Sequence, residues 1–189
     1  LDRAGASGKR VSDQLKDKLR HHVVVTQIQI GFEEHFEGVI DLIRMKAFYF
    51  DGDNGEDIRE EEIPAAQIDE AKAARREMFT AIAEVDSAME EKFVLEQEPS
   101  TEELRAAIRR ACIALKCTPV FMGSAYKNKG VQLLLDGVNL FLPDPTEVQN
   151  IAHDQDKAED KVILLSEPKK PFVGLAFKLE DGRYGQLTY

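Results

Sequence analysis

Thr118-Pro-Val-Phe-Met-Gly-Ser-Ala-Tyr-Lys-Asn-Lys-Gly130 is the stretch that decides the fold class. An apolar run, Val120 to Met122, stops at Gly123 and the small pair Ser124-Ala125. A basic loop follows and leads into a helix that opens at Gly130. A strand feeding a small-residue loop and then a helix is a unit of α/β architecture, and loops at the carboxyl edge of a parallel sheet are where such proteins hold nucleotides. Residues without bulk let backbone N–H groups approach a flat base closely.

Outward from that stretch, the pattern stays mixed. Just upstream, Ser100 with Glu103 makes a capping box for a helix whose core face reads Leu104, Ile108, Cys112 and Leu115. Before it, Pro64 opens a long helix with Ile68, Ala71, Met78, Ile82 and Val85 on one side, and a short helix carries Met89 and Phe93. Downstream, Leu134, Leu135, Val138, Phe141 and Leu142 predict a helix that Pro143-Asp-Pro145 ends. Nearer the amino terminus, Val11 to Arg20 predicts a short amphipathic helix with Val11, Leu15 and Leu19 on its face, and Val23 to Ile30 predicts a strand. Ala47 to Phe50 is a second strand, residues 51–55 are a turn, and a return strand leads toward Ile63. Residues 146–170 read as a polar linker; Phe172 to Leu179 and Gln186 to Tyr189 read as a hairpin around a turn at 181–185.

Of 189 residues 43% are hydrophobic, which suits a folded chain. No apolar run approaches the ~20 residues needed to span a bilayer, so no membrane partner is expected. The net charge of −10 is unevenly spread: residues 51–103 hold eighteen acidic against five basic side chains, −13, and the rest of the chain is +3. That acidic section would repel phosphate and attract a basic protein surface; a solvated helical face is the plain alternative. Cys112 and Cys117 lack any zinc-type cluster and read as free thiols. The 51–62 segment spaces Asp51, Asp53 and Glu62 as a calcium loop would, but Gly55 and Glu56 stand where an oxygen ligand and a glycine are needed, so calcium is not expected. No Gly-x-x-x-x-Gly-Lys-[Ser/Thr] loop is present, and none of the four histidines adjoins a nucleophile motif.

Several motifs together resemble elongation factor G, a translational GTPase family. They are Leu1-Asp-Arg-Ala-Gly5, Gln29-Ile-Gly31, Phe36-Glu-Gly-Val-Ile-Asp-Leu42, Ile63-Pro-Ala65 and Gly123-Ser-Ala-Tyr-Lys-Asn-Lys-Gly-Val-Gln132. Residues 49–53, 143–150, 172–179 and 185–189 are similar to the mitochondrial form in particular. The resemblance implies an α/β fold: the end of a P-loop GTPase domain (1–30 and 105–145), an inserted α+β subdomain (31–104), a linker (146–170) and the first strands of a β-barrel domain (171–189).

The resemblance also implies the chemistry. Asp2 matches the guanine-specificity aspartate of an Asn-Lys-x-Asp motif, and Ser124 and Ala125 match the base-contacting pair. A carboxylate can accept from guanine N1–H and its exocyclic amino group, whereas adenine would face it with a lone pair; backbone N–H groups around Ser124 and Ala125 would meet O6. Asn128-Lys129-Gly130-Val131 does not substitute for the motif, because Val131 stands where the aspartate belongs. GTP or GDP with magnesium would be cofactors of a longer protein, and this chain, lacking the phosphate loop, is expected to bind none and to be inactive by itself. The implied partners are the ribosome, its stalk protein through the acidic section, and ribosomal RNA; the implied location is the mitochondrial matrix. A bacterial elongation factor G, the ribosome-recycling paralogue, and a non-catalytic acidic protein-binding module remain as alternatives.

Overall fold

Val23 to Ile30 forms two strands instead of one, and the break organises the molecule. In a computed structural model, which describes residues 1–52, 54–183 and 185–189, the run divides at Thr26. Asp53, in the discounted calcium loop and the 49–53 motif, and Tyr184, in the hairpin turn, lie outside the described residues. Strand β1 (Val23–Val25) pairs in parallel with β6 (Thr118–Val120), Val24 opposite Pro119. Strand β2 (Gln27–Ile30) instead joins an antiparallel sheet in the order β2-β3-β4-β5, with β3 at Gly38–Asp41, β4 at Lys46–Asp51 and β5 at Asp57–Glu61. Thr26 is buried at the junction, where its amide (3.1 Å) and hydroxyl (2.7 Å) both donate to the Val120 carbonyl. One residue thus ties the two sheets at the point where the chain changes partner.

The four-stranded sheet is covered on both faces, and the period-2 alternation of strands sorts its residues. Ile28, Ile30, Ile40 and Ala47 face the helices α2 (Ile68–Ala83), α3 (Ser87–Val94) and α4 (Thr101–Ile113), where Met78, Ile82, Met89, Leu104 and Ile108 complete the main core. Val39, Phe48 and Phe50 face the other way, onto Met122 and Leu133. The outer strand β5 carries Asp57, Arg59, Glu60 and Glu61, all exposed, a charged edge of the kind that discourages further strand pairing.

Helix ends follow their local chemistry. Ser100 and Glu103 form the reciprocal capping box at the start of α4. Asp86 caps α3, accepting from the Met89 amide at 3.2 Å, and takes two bonds from the Arg110 guanidinium of α4 at 2.9 and 3.0 Å. Helix α4 closes in a Schellman turn: the Lys116 amide reaches Ala111 O and the Leu115 amide reaches Cys112 O, with Leu115 at φ 56°. This corrects the expected core face, because Leu115 stands past the helix end and is 93% exposed.

Two other helices bury a face the apolar pattern did not indicate. In α1 (Gly8–Asp17) Gly8 and Ser12 are buried, while Val11 and Leu19 face solvent. In α5 (Val131–Phe141) Leu133, Gly137 and Phe141 are buried, while Leu134, Leu135, Val138 and Leu142 are outward. A side chain at Gly137 would meet the Phe121 ring at 2.3 Å, so α5 lies against that ring through its glycine.

Residues Pro143–Tyr189 make a second unit. Within 146–170, where a plain connection was expected, β7 (Asn150–Asp154) and β8 (Asp160–Leu164) form a hairpin around Ala158 and Glu159, both at positive φ. The last hairpin pairs β9 (Leu179–Gly182) with β10 (Gly185–Thr188). The expected long strand from Phe172 is regular only from Leu179, although the Phe177 and Tyr189 amides extend the pairing outward.

Candidate nucleotide-base site

The loop after β6 is held from four directions. Its own backbone closes first: the Ser124 and Lys129 amides and carbonyls exchange bonds at 2.8 and 3.0 Å, and the Asn128 amide returns to Ala125 O at 3.2 Å. Gly123 is required by a close approach, since a Cβ there would sit 2.6 Å from Lys129 O. Gly130, at φ 83°, turns the chain into α5.

From the amino terminus, the Leu1 nitrogen donates to Gly123 O at 2.6 Å, which sets Asp2 against Ser124. The buried Ser124 hydroxyl beside the Asp2 carboxyl holds it below the usual carboxylate range. The same oxygen accepts from the Lys127 amide at 3.3 Å. Arg3 lies over the Tyr126 ring at 5.8 Å. Gly5 ties this segment to the rest of the unit, its amide donating to Glu33 Oε1 at 2.6 Å and its carbonyl accepting from Arg10 at 2.6 Å.

From the antiparallel sheet, the glutamines of β2 act as backbone anchors. The buried Gln27 accepts the Met122 amide at 2.9 Å, and Gln29 accepts the Gly8 amide at 3.4 Å. From the loops that precede β3 and β5, Phe36 O accepts from the Lys129 ammonium at 2.9 Å and Gly55 O from the Gln132 side-chain amide at 3.3 Å. Gly55, at φ 62°, packs so closely that a Cβ would lie 2.8 Å from Lys127 O and 3.2 Å from Asn128 O.

The three expected site residues therefore meet at one corner, with distinct duties. Asp2 presents an ionised carboxylate. Ser124 spends its amide on Lys129 O and its hydroxyl on Asp2, so it orients the corner. The exposed Ala125 residue has an amide that donates to no described group and is open to a ligand oxygen. The bracing residues Gln27, Lys129, Gln132 and Gly55 were missed by sequence reasoning. The only sequence signal was the alternation Gln27-Ile-Gln-Ile30, which reads as a strand with a wet face.

The acidic section is spread over α2, α3 and β5. Asp69, Glu77, Glu90 and Glu91 are exposed, and among the described residues they form no ion pair. Others are neutralised locally, as Glu60 is by Arg44 and Glu62 by Lys46. No group of His, Cys, Asp and Glu suited to a metal ion occurs among the described residues.

Comparison with known proteins places these features in context. No protein-family model matches the chain. Over its whole length it is 56% identical to elongation factor G 2 of Anaeromyxobacter dehalogenans, covering 27% of that protein. It is 52% identical to the mitochondrial elongation factor G-1 of Arabidopsis thaliana, covering 25% of it. It is also 51% identical to elongation factor G 2 of Bdellovibrio bacteriovorus, covering 27%. The chain thus spans about a quarter of the length of these relatives. In fold it is similar to a crystal structure from Thermus thermophilus, with TM-score 0.68 over 97% of this chain and 25% of that one, at 22% identity.

Proposed function

The chain is homologous to elongation factor G over its whole length, and from that premise we propose that its Asp2–Ser124–Ala125 corner recognises guanine in a translational GTPase. The observation that carries the reading is the pairing of an ionised, Ser124-oriented carboxylate with an amide donor free on the same loop. Guanine offers the matching groups: two adjacent N–H donors for the Asp2 carboxylate and an O6 acceptor for the Ala125 amide. Charge-assisted bonds of this type are the strong ones, and an adenine ring would turn a lone pair toward the carboxylate. Phosphates and magnesium would be held elsewhere in the complete protein, and these residues would carry no hydrolytic step.

In that protein the bound nucleotide would drive movement of messenger and transfer RNA through the ribosome. The exposed, unpaired acids of α2 and α3 would present a negative surface to a basic partner, which we assign to the ribosomal stalk protein. The motifs at 49–53 and 143–150 support a mitochondrial matrix location as part of the same proposal; fractionation of cells expressing the complete tagged protein tests it, and a cytosolic pool alone would remove it.

The test of the site is Asp2→Asn in the complete protein. An amide at this position offers an N–H to the C2 carbonyl of xanthine, where guanine has an amino group. Guanine nucleotide binding should fall and xanthine nucleotide binding should rise. Unchanged guanine affinity would sink the assignment. For the acidic face, lysine at Glu77, Glu90 and Glu91 should weaken stalk binding, and equal binding by both proteins would return that surface to a role in solubility.

A further inference from the structure

We propose that Cys112 and Cys117 form a modification site, an intramolecular disulfide that a hydroperoxide closes across the turn between α4 and β6. These are the chain's only two cysteines. Their sulfurs lie 3.8 Å apart, five residues apart in sequence. A disulfide needs ~2.05 Å, so the sulfurs must close by roughly 2 Å.

The backbone between them is already in place. The Schellman bonds from Lys116 to Ala111 O and from Leu115 to Cys112 O fold residues 111–117 back on themselves before any covalent link exists. Ordering of the turn is thus a cost of folding and not of oxidation, which favours ring closure over a bond to a second molecule. Burial acts the same way. Cys112 is 7% exposed, too recessed for a thiol of another chain, whereas the exposed turn at 113–116 and the half-buried Cys117 edge leave a path by which a small oxidant reaches the sulfur pair.

The pair also has its acid–base roles sorted. The sulfur–sulfur contact, in which either thiol can donate, holds the Cys112 thiol below the usual range and, with burial, pushes the Cys117 thiol up. The thiolate is the nucleophile, so Cys112 attacks first. Its sulfur takes one peroxide oxygen, the O–O bond breaks, and hydrogen peroxide leaves one water and a Cys112 sulfenic acid. The Cys117 sulfur then attacks the sulfenic sulfur; the S–O bond breaks and the oxygen departs as a second water, carrying the Cys117 proton. Two thiols are oxidised and one peroxide is reduced to two waters.

The experiment treats the reduced 189-residue chain with a stoichiometric amount of hydrogen peroxide. Both maleimide-reactive thiols should disappear together, and the intact mass should fall by two hydrogens. Trypsin, which cuts after Lys116, should leave residues 111–116 and 117–127 joined as one ion that dithiothreitol separates. The yield should not change over a tenfold range of protein concentration. A disulfide-linked dimer whose yield rises with concentration, or oxygen addition at one cysteine with the other still titratable, would overturn the proposal. Cys117→Ser supplies the second arm: it should accumulate oxygen on Cys112 and never give the joined peptides. The same oxidation product from this variant and from the parent chain would also count against the site.

Discussion

Gly55 and Gly52 offer a controlled comparison of how far the turn between β4 and β5 supports the loop after β6. Both have left-handed backbone, at φ 62° and 84°, so an alanine at either position carries a comparable conformational cost of ~1–2 kcal/mol. Their surroundings differ. The nearest atoms to the Cβ of Gly52→Ala are the carboxylate end of Glu56, an exposed side chain that can move aside with the loss of its bond from the Asn54 amide at 2.8 Å. The Cβ of Gly55→Ala meets two backbone carbonyls, Lys127 O at 2.8 Å and Asn128 O at 3.2 Å, which belong to a loop closed by its own hydrogen bonds. Relief requires the turn and the loop to separate, which lengthens the Gln132-to-Gly55 O bond from 3.3 Å. Losing that bond costs ~0.5–1.5 kcal/mol, and the separation loosens packing besides. Each variant thus loses one hydrogen bond, and the backbone overlap that remains at position 55 should leave Gly55→Ala less stable than Gly52→Ala by about 1 kcal/mol, a gap of roughly 2–4 °C in Tm at ~2–4 °C per kcal/mol. The chain has no tryptophan, so urea titration followed by far-UV circular dichroism is the suitable assay. Hydrogen exchange provides the local readout: the Asn128 and Lys129 amides should lose protection in Gly55→Ala and retain it in Gly52→Ala. Equal midpoints for the two variants, with equal protection at those amides, would refute the claim that the β4–β5 turn braces the loop.

Other outcomes follow from individual contacts. Ser124→Ala removes the hydroxyl that orients Asp2, so the Asp2 carboxyl should titrate at a higher pH than in the parent chain, as measured by NMR; an unmoved titration would show that Ser124 does not act on it. A double-mutant cycle on Asp86→Asn and Arg110→Ala should return a coupling of about 1–2 kcal/mol for the two-bond contact, kept modest because the guanidinium is half exposed. Burial alone would raise the Asp86 pKa, but the Arg110 guanidinium and the Met89 amide outweigh it and hold the carboxyl low. Its stabilisation is therefore complete above the unfolded carboxyl pKa of ~3.9 and is lost as pH falls through the lower folded value. Asp86→Asn should flatten that part of the acid denaturation curve, and a curve of unchanged shape would contradict the account.

The shape of the loop after β6 was legible in the sequence because it is local: Gly123, Ser124, Lys127 and Lys129 lie within seven residues and close on one another, whereas Asp2 was brought to it only by the family resemblance. Helix starts were legible for the same reason, as with the Ser100–Glu103 capping box. The helix faces were not, and the failures share a cause. Hydrophobic periodicity marks side chains that are apolar, whereas α1 and α5 pack through Gly8, Ser12 and Gly137, where the absence of a large side chain permits contact. In α5 nearly every position is apolar, so the pattern named the larger residues and the glycine face was the one buried. The glutamines of β2 invert the usual inference in a second way. Gln27 and Gln29 are the polar half of an alternating strand, yet that half faces protein and spends its amides on the backbone of Met122 and Gly8. Each such bond joins residues far apart in sequence, as Lys129 and Phe36 are, 93 positions apart. A polar residue in a strand is read as wet unless its partner is known, and that partner is supplied by the fold. The shape of the loop can therefore be found from its own neighbourhood, while Asp2 and the residues that hold the loop in place come together only when the sheets are assembled.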